Sequence, residues 1–352
     1  MHLPCHEAAG QEDPRAREPD WEREATELIL IPFFVPCADP DLLSTWWTNQ
    51  SLSSLGEDRN HADRSSQRPA PQHAAMAGRR PARLPDRRRV LAAIAPEPQG
   101  PEETVPVPHG GTNQRPIESG IVSRTALIEQ LAAARVAIDR HAPEAIVTLG
   151  GDCHVDLAPI AYLAGRYGDE LAVIWVDAHP DIMGPEQYPN AHAHVLAMLM
   201  GEGDLDFVAA VPRTVDAKRV LYVGLTETTP FETSFIQEHG IARLSPEDLA
   251  GSPERVLEWL RASGARKVAV HFDLDVLDPS LYDFLLFRDP SRAPGAFDGV
   301  AKGRMRFEEV AAILNAVAAE VDIVGLAITE YLPWSAIGLS RSLRSLPLLG
   351  TK

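Results

Sequence analysis

Cysteine is scarce: Cys5, Cys37 and Cys153 are the only three in 352 residues. They are too few and too scattered for a disulfide framework, and no CxxC pair offers a structural zinc corner. Long apolar runs are also missing, since none reaches the ~18–20 residues that a membrane span needs. The opening MHLPCHEAAGQEDPRAREPDWERE is charged and has no apolar stretch of the kind a secretory signal requires, so a reducing cytoplasm is the expected compartment. Basic residues are in deficit, 33 Lys and Arg against 50 Asp and Glu, and the net charge of −17 argues against nucleic acid or an anionic membrane as partner. The local exception, RRPARLPDRRR (79–89), lies in a Pro-rich stretch without periodicity and reads as a solvated connector.

With 45% apolar and 24% charged residues, the composition is that of a globular protein large enough to bury a substantial core. From about Ser119 onward, strand-like runs alternate with helical patterns at short spacing, the signature of βα units building a parallel sheet. The strand candidates are AIVTL (145–149), LAVIWV (171–176), RVLYVG (219–224), KVAVHFD (267–273) and DIVGLAI (322–328). Their nearly continuous apolar character predicts strands covered on both faces. Helical patterns fall at 121–139, 155–167, 192–200, 246–262 and 306–319, and Ser245-Pro-Glu-Asp is a good helix start. Upstream, ELILIPFFVP (27–36) reads as a core strand and RRVLAAIA (88–95) as a helix leading to a strand near TVPVP (104–108). Residues 1–25 are expected to be a disordered acidic tail, and residues 38–87 to be loop-like within a single α/β domain spanning 26–352.

The chemistry gathers at strand ends, where open parallel sheets place their ligands. LGGDCHVD (149–156) follows the first of the later strands, Asp177-Ala-His179-Pro-Asp181 follows LAVIWV, and KVAVHF runs into Asp273-Leu-Asp275-Val-Leu-Asp278-Pro. In extended backbone, residues i and i+2 share a side, so Asp177 with His179, and Asp273 with Asp275, can each converge on one point. Four carboxylates brought together repel one another unless cations neutralise them, which makes a metal site the economical reading. Helix or turn capping by these Asp residues is the bland alternative. Many carboxylates and few imidazoles favour a hard or borderline ion such as Mn²⁺. There are enough carboxylates to bridge two ions, and a dinuclear site can turn a bridging water into hydroxide near neutral pH.

GGDCH (150–154), DAHPD (177–181), HFDLDVLDPS (271–280) and AITEYLP (327–333) resemble, in order and spacing, the motifs of the ureohydrolase family of arginases, agmatinases and formiminoglutamases. The resemblance runs from about Gly120 to Pro333. It implies a three-layer α/β/α fold around an eight-stranded, mostly parallel sheet with two Mn²⁺ at the strand ends. It also implies hydrolysis of a C–N bond in a small guanidino or linear amidine substrate, and a homo-oligomer, trimer or hexamer, by analogy. Position by position, Asp177 and Asp273 match bridging carboxylates, Asp181 a ligand of the first ion, and His179 and Asp275 ligands of the second. Asn190-Ala-His192 resembles an N-x-H segment whose histidine shuttles protons, a role suited to a side chain titrating near neutrality. Asn190 is a candidate substrate contact, and His194 is a rival for the role of His192, which the Asn spacing favours. Glu330 matches the carboxylate that pairs with a guanidinium, an arrangement that both orients the substrate and holds its charge.

Two departures stand out. Cys153 occupies the place of the family's first metal-binding histidine; it ligates only as thiolate, a soft donor that suits Mn²⁺ poorly. Ligation by Cys153, recruitment of His154 through a one-residue shift, and a weakened first site all remain open. Met183 and Gly184 stand where arginases carry polar residues that hold the α-carboxylate, in a loop about two residues shorter, which weakens arginine as the substrate. His271, which shares a face with Asp273, is expected to be a buried, hydrogen-bonded neighbour and not a ligand. Besides a urea-releasing hydrolase, the same residues leave open a family-fold binding or assembly module with impaired metal binding, and a mononuclear zinc amidohydrolase.

Overall fold

The computed structural model describes residues 28–32, 87–98, 100–106, 116–290, 292–293, 295–333 and 335–350. Its core is a parallel sheet of seven strands: β1 (Leu28–Pro32), β2 (Ala145–Leu149), β3 (Leu171–Val176), β4 (Val220–Val223), β5 (Ala242–Leu244), β6 (Lys267–Asp273) and β7 (Asp322–Thr329). Their spatial order is β1-β2-β7-β6-β3-β4-β5, and every neighbouring pair is parallel. Every residue of β2, β3 and β4 is buried, as are all but the first of β6 and β7. Strands of this kind must be covered on both faces, so the architecture is α/β with helices on either side of the sheet. One such helix, Leu157–Tyr167, lies so close to β7 that a Cβ on Gly325 would come 2.8 Å from Leu163 Cδ1 and 3.1 Å from the Ala269 Cβ.

An eight-stranded sheet was expected, and among the described residues the main sheet has seven strands, with Ile117–Glu118 and Ile121–Val122 forming a separate antiparallel pair. Part of the difference is the TVPVP stretch: Thr104, Val105 and Pro106 form no strand, because proline has no N–H to give to a ladder, and 107–108 lie outside the described residues. The helix read at 246–262 is two helices, Pro246–Leu249 and Glu254–Ser263. Ala250 and Gly251 between them both take positive φ (47° and 74°), which ends the first helix, and Pro253 starts the second. The expectations for residues 1–25, and for 38–87 apart from Arg87 at the head of helix Arg87–Ile94, concern residues outside the described set. Among the described residues no helix is long and apolar enough to cross a membrane.

Register explains why the motifs meet. Leu149 pairs with Ile328, Ile328 with Phe272, and Phe272 with Val176, so the ends of β2, β7, β6 and β3 lie level in one row. Gly150, Thr329, Asp273 and Asp177, the next residue on each strand, therefore emerge side by side at the carboxyl edge. Two backbone bonds tie the Gly-Gly turn to the end of β7: Gly150 N donates to Ile328 O at 3.0 Å, and Glu330 N donates to Gly151 O at 2.7 Å.

Candidate metal centre

At the ends of β3 and β6 the chain makes the same local move twice. Asp177 Oδ1 accepts from His179 N at 2.7 Å, and Asp273 Oδ1 accepts from Asp275 N at 2.7 Å. Aspartate forms such turns readily because its short side chain reaches the backbone two residues on. The capping role offered as the bland alternative is therefore real, but it occupies one oxygen of each carboxylate. The other oxygens face inward. Asp177 Oδ2 accepts from Trp175 Nε1 at 3.2 Å, and Asp273 Oδ2 accepts from Cys153 Sγ at 3.1 Å and from Thr329 Oγ1 at 3.2 Å.

Three groups of ligand atoms, each within 4.8 Å of one another, result: Cys153, Asp177, Asp181 and His271; Cys153, Asp273 and Glu330; and Asp177, His179 and Asp275. All the predicted ligands except His154 take part. Asp181 Oδ2, Asp275 Oδ1 and His271 Nε2 are buried without a hydrogen-bond partner. Buried polar atoms are almost always paired, so three orphans on residues of these groups, two of them carboxylate oxygens, fit sites for cations. Two of the acidic residues also sit on unusual backbone, Asp181 at φ 51° and Glu330 at φ 56°. Positive φ is uncommon outside glycine and gathers at functional sites, where surrounding structure holds it in place.

The charge pattern agrees. Burial, reinforced by neighbouring carboxylates, holds Asp181 and Asp273 well above the usual carboxylate range and raises Asp177 as well. Burial also acts on Asp275, but His179 outweighs it and holds the carboxyl below its ordinary value. His179 shows the converse: burial disfavours its charge, yet Asp275 Oδ2 at 3.2 Å and Asp177 Oδ1 at 3.5 Å hold its proton to well above the usual histidine range. Cys153 is pushed up by burial and by Asp181, Asp273 and Asp177, so without a cation it is a neutral thiol donating to Asp273.

His154 does not join the cluster. Its ring lies edge-on to Phe207, with centroids 5.0 Å apart, and lines a small cavity with Gln130, Leu131 and Ala158. The 3₁₀ turn Cys153–Asp156, fixed by Asp152 accepting from His154 N at 3.1 Å, sends adjacent side chains to different sides, so no one-residue shift is at work. His194 is also accounted for: it is buried and its Nε2 bonds the Tyr188 carbonyl at 2.7 Å. His192 is half-buried, edge-on to Tyr188, and burial with the nearby His194 and His179 lowers it to about 3, so the ring is neutral and a weaker base than the near-neutral histidine expected there. Asn190 is buried, with its Nδ2 donor unpartnered.

Asp156 is the residue whose part sequence reasoning missed. It is buried and accepts a hydrogen bond at 3.1 Å from Nδ1 of His271, 115 residues away in the chain. A second acidic residue just past GGDC was the available signal, but nothing local pairs it with β6.

A family model described as the arginase family matches residues 112–341. Among curated proteins, the chain is 34% identical over 148 residues to an arginase of Coccidioides posadasii and 28% identical over 140 residues to an arginase of Staphylococcus aureus. In both cases the match covers 38% of this chain and 46% of the relative, so the chain spans under half the length of these curated relatives. Among solved structures, the fold is similar to an Entamoeba histolytica arginase in complex with L-ornithine, with a TM-score of 0.60 at 17% identity, covering 92% of this chain and 97% of that one. It is also similar to a Bacillus subtilis formimidoylglutamase, with a TM-score of 0.54 at 14% identity over 99% of this chain and 97% of that one.

Proposed function

The chain belongs to the arginase family, and on that premise we propose that it is a metal-dependent hydrolase of C–N bonds in linear amidines, releasing urea from a guanidino substrate. The observation that carries the proposal is the cluster of Asp177, Asp181, Asp273, Asp275 and His179, in which Asp181 and Asp275 each keep one buried oxygen without a partner. The donor set is mostly carboxylate, which suits Mn²⁺. Asp177 belongs to the groups of both Asp181 and Asp275 and would be shared, as the family resemblance implies for Asp273; Asp181 would serve the first ion, and His179 with Asp275 the second. Two divalent ions there would supply a nucleophilic water at neutral pH and polarise the carbon it attacks.

The remaining steps fall to the protein's side chains. Glu330 is buried at the rim of the Cys153–Asp273 group, where a carboxylate can hold a guanidinium in line with the cluster. His192, partly accessible and two residues past Asn190, would relay a proton to the departing amine. The loop between Asp181 and Asn190 is closed down: Met183 and Tyr188 are buried, and Met183 N donates to Ala193 O at 2.8 Å. An apolar side chain at Met183 gives a substrate α-carboxylate no partner there, so substrates lacking that group belong in the test. The test is urea release from arginine, agmatine and a series of guanidino acids with added Mn²⁺, with metal content measured on the same samples. Turnover of at least one substrate is the expected result, and its absence from all of them at full metal occupancy would overturn the proposal.

A further inference from the structure

We propose that His271, oriented by Asp156, supplies the imidazole of the first metal site, and that Cys153 is a hydrogen-bonding neighbour of that site and not a ligand. The inference rests on the metal-centre reading above and adds a donor to it. His271 is fully buried on β6, and its ring is stacked on Trp175 with centroids 3.8 Å apart and planes 14° from parallel. Nδ1 donates to Asp156 Oδ2 at 3.1 Å, which fixes the tautomer and leaves the lone pair on Nε2. That nitrogen has no hydrogen-bond partner, and the atom it approaches is Asp177 Oδ2, at 3.8 Å.

That distance is too long for a hydrogen bond and lies just above the spacing of two donors on one ion. Bonds of about 2.1 Å meeting at roughly 90–125° separate the donor atoms by about 3.0–3.7 Å. Asp181, whose Oδ2 is the other orphan of this group, offers a carboxylate oxygen within 4.8 Å of the ligand atoms of Asp177 and His271. A carboxylate that binds the far nitrogen of a metal-bound histidine is the usual way such a ring is held and made more basic. Asp156 and His271 form that pair, both buried and with no other evident use.

Cys153 is the rival donor: its Sγ lies 3.1 Å from Asp273 Oδ2, within hydrogen-bond reach, and a soft thiolate suits a carboxylate-rich site less well than an imidazole does. The chain therefore lacks an imidazole on the turn after β2 and carries one on β6, pointing into the same group of atoms.

The experiment compares metal binding to the full chain by calorimetry and metal analysis in wild type, Cys153→Ser, Asp156→Asn and His271→Asn, with a crystal structure of the Mn²⁺-loaded wild type. Circular dichroism melts check that each variant folds. Expected results are two equivalents in wild type and Cys153→Ser, one site weakened 10–100-fold in Asp156→Asn, and one equivalent lost in His271→Asn. In the crystal structure, His271 Nε2 should lie within bonding distance of the first ion. If His271→Asn does not fold, Asp156→Asn and the wild-type crystal structure decide. Two ions in wild type with Nε2 outside coordination distance, or a first equivalent lost in Cys153→Ser and kept in Asp156→Asn, would overturn this inference alone. No binding by wild type at all would overturn the metal-centre reading and this inference with it.

Discussion

Replacing Asp181 with asparagine should stabilise the metal-free protein and destabilise the metal-loaded one relative to wild type. Asp181 is 3% exposed, one of its oxygens has no partner, and burial with Asp177 pushes its carboxyl well above the ordinary range. The unfolded chain ionises this group freely while the folded chain resists, so each unit of that rise costs the metal-free fold about 1.4 kcal/mol near neutral pH. Asparagine removes the cost and tolerates the positive φ of 51° at this position. The advantage should shrink as pH falls toward 4, where the unfolded carboxyl is also protonated. With metal the sign reverses. Metal at 100 times its dissociation constant stabilises by about 2.7 kcal/mol; a 100-fold weaker site at the same concentration gives about 0.4 kcal/mol. At about 2 °C per kcal/mol for a chain of this size, the rise in melting temperature on adding Mn²⁺ should be about 5 °C smaller in Asp181→Asn than in wild type, the second site contributing equally to both. Scanning calorimetry after chelation and after Mn²⁺ addition reads both terms. A variant that melts below wild type in chelator would refute the claim that uncompensated charge strains this site.

Glu330→Gln should leave two ions bound and lower kcat/KM for a guanidinium substrate about 10–100-fold, the 1.5–3 kcal/mol of a hydrogen bond to a charged group; steady-state kinetics with metal analysis checks it, and loss of metal instead would reassign Glu330 as a ligand. His194 is 1% exposed and lowered to about 4 by burial, so the unfolded chain takes up its proton first as pH falls below ~6.5, and this group alone should cost about 2 kcal/mol of stability at pH 5. Urea denaturation at pH 7.5 and pH 5 should show a loss about 2 kcal/mol larger in wild type than in His194→Gln; equal losses in the two would refute it. Gly303 N donates to Asp275 O at 3.0 Å, and a Cβ on Gly303 would lie 2.0 Å from the Val276 carbonyl carbon. Gly303→Ala should therefore displace Asp275, costing about 1–3 kcal/mol of stability and weakening metal binding, measured by denaturation and calorimetry; unchanged affinity would show that the segment shifts without the ligand.

Legibility followed burial. β2, β3 and β6 occupy the stretches AIVTL, LAVIWV and KVAVHFD that the apolar pattern marks, because strands hidden on both faces leave an unbroken apolar run with abrupt polar ends. β5 was not legible: it is the three-residue edge strand Ala242–Leu244 with an exposed arginine in its middle, too short and mixed to show a period. Helix Pro230–His239 was overlooked, although Thr229-Pro230 opens it with the same capping residue and proline pattern that marks a helix start at Ser245-Pro246. The break at Ala250–Gly251 was likewise written in the sequence as Gly251 and Pro253, and continuous helical spacing masked it.

The site divides the same way. Asp177 with His179, and Asp273 with Asp275, could be read because extended backbone makes i and i+2 neighbours and the chain itself supplies the convergence. His154 could not be placed correctly, because a one-residue difference in a 3₁₀ turn sends its ring to Phe207 while Cys153 faces the carboxylates. His271 was expected to be buried and hydrogen-bonded, and it is, with Asp156 as the partner that no local pattern could name. A bond across 115 residues depends on which strands lie side by side. The order β2-β7-β6-β3 puts the turn after β2 and the end of β6 in the same cluster, although β7 separates their strands. Only with that order known does the cysteine on one strand end become intelligible beside the histidine on another: a donor missing from one wall of a cavity can be supplied from a different wall, provided a carboxylate is there to hold it.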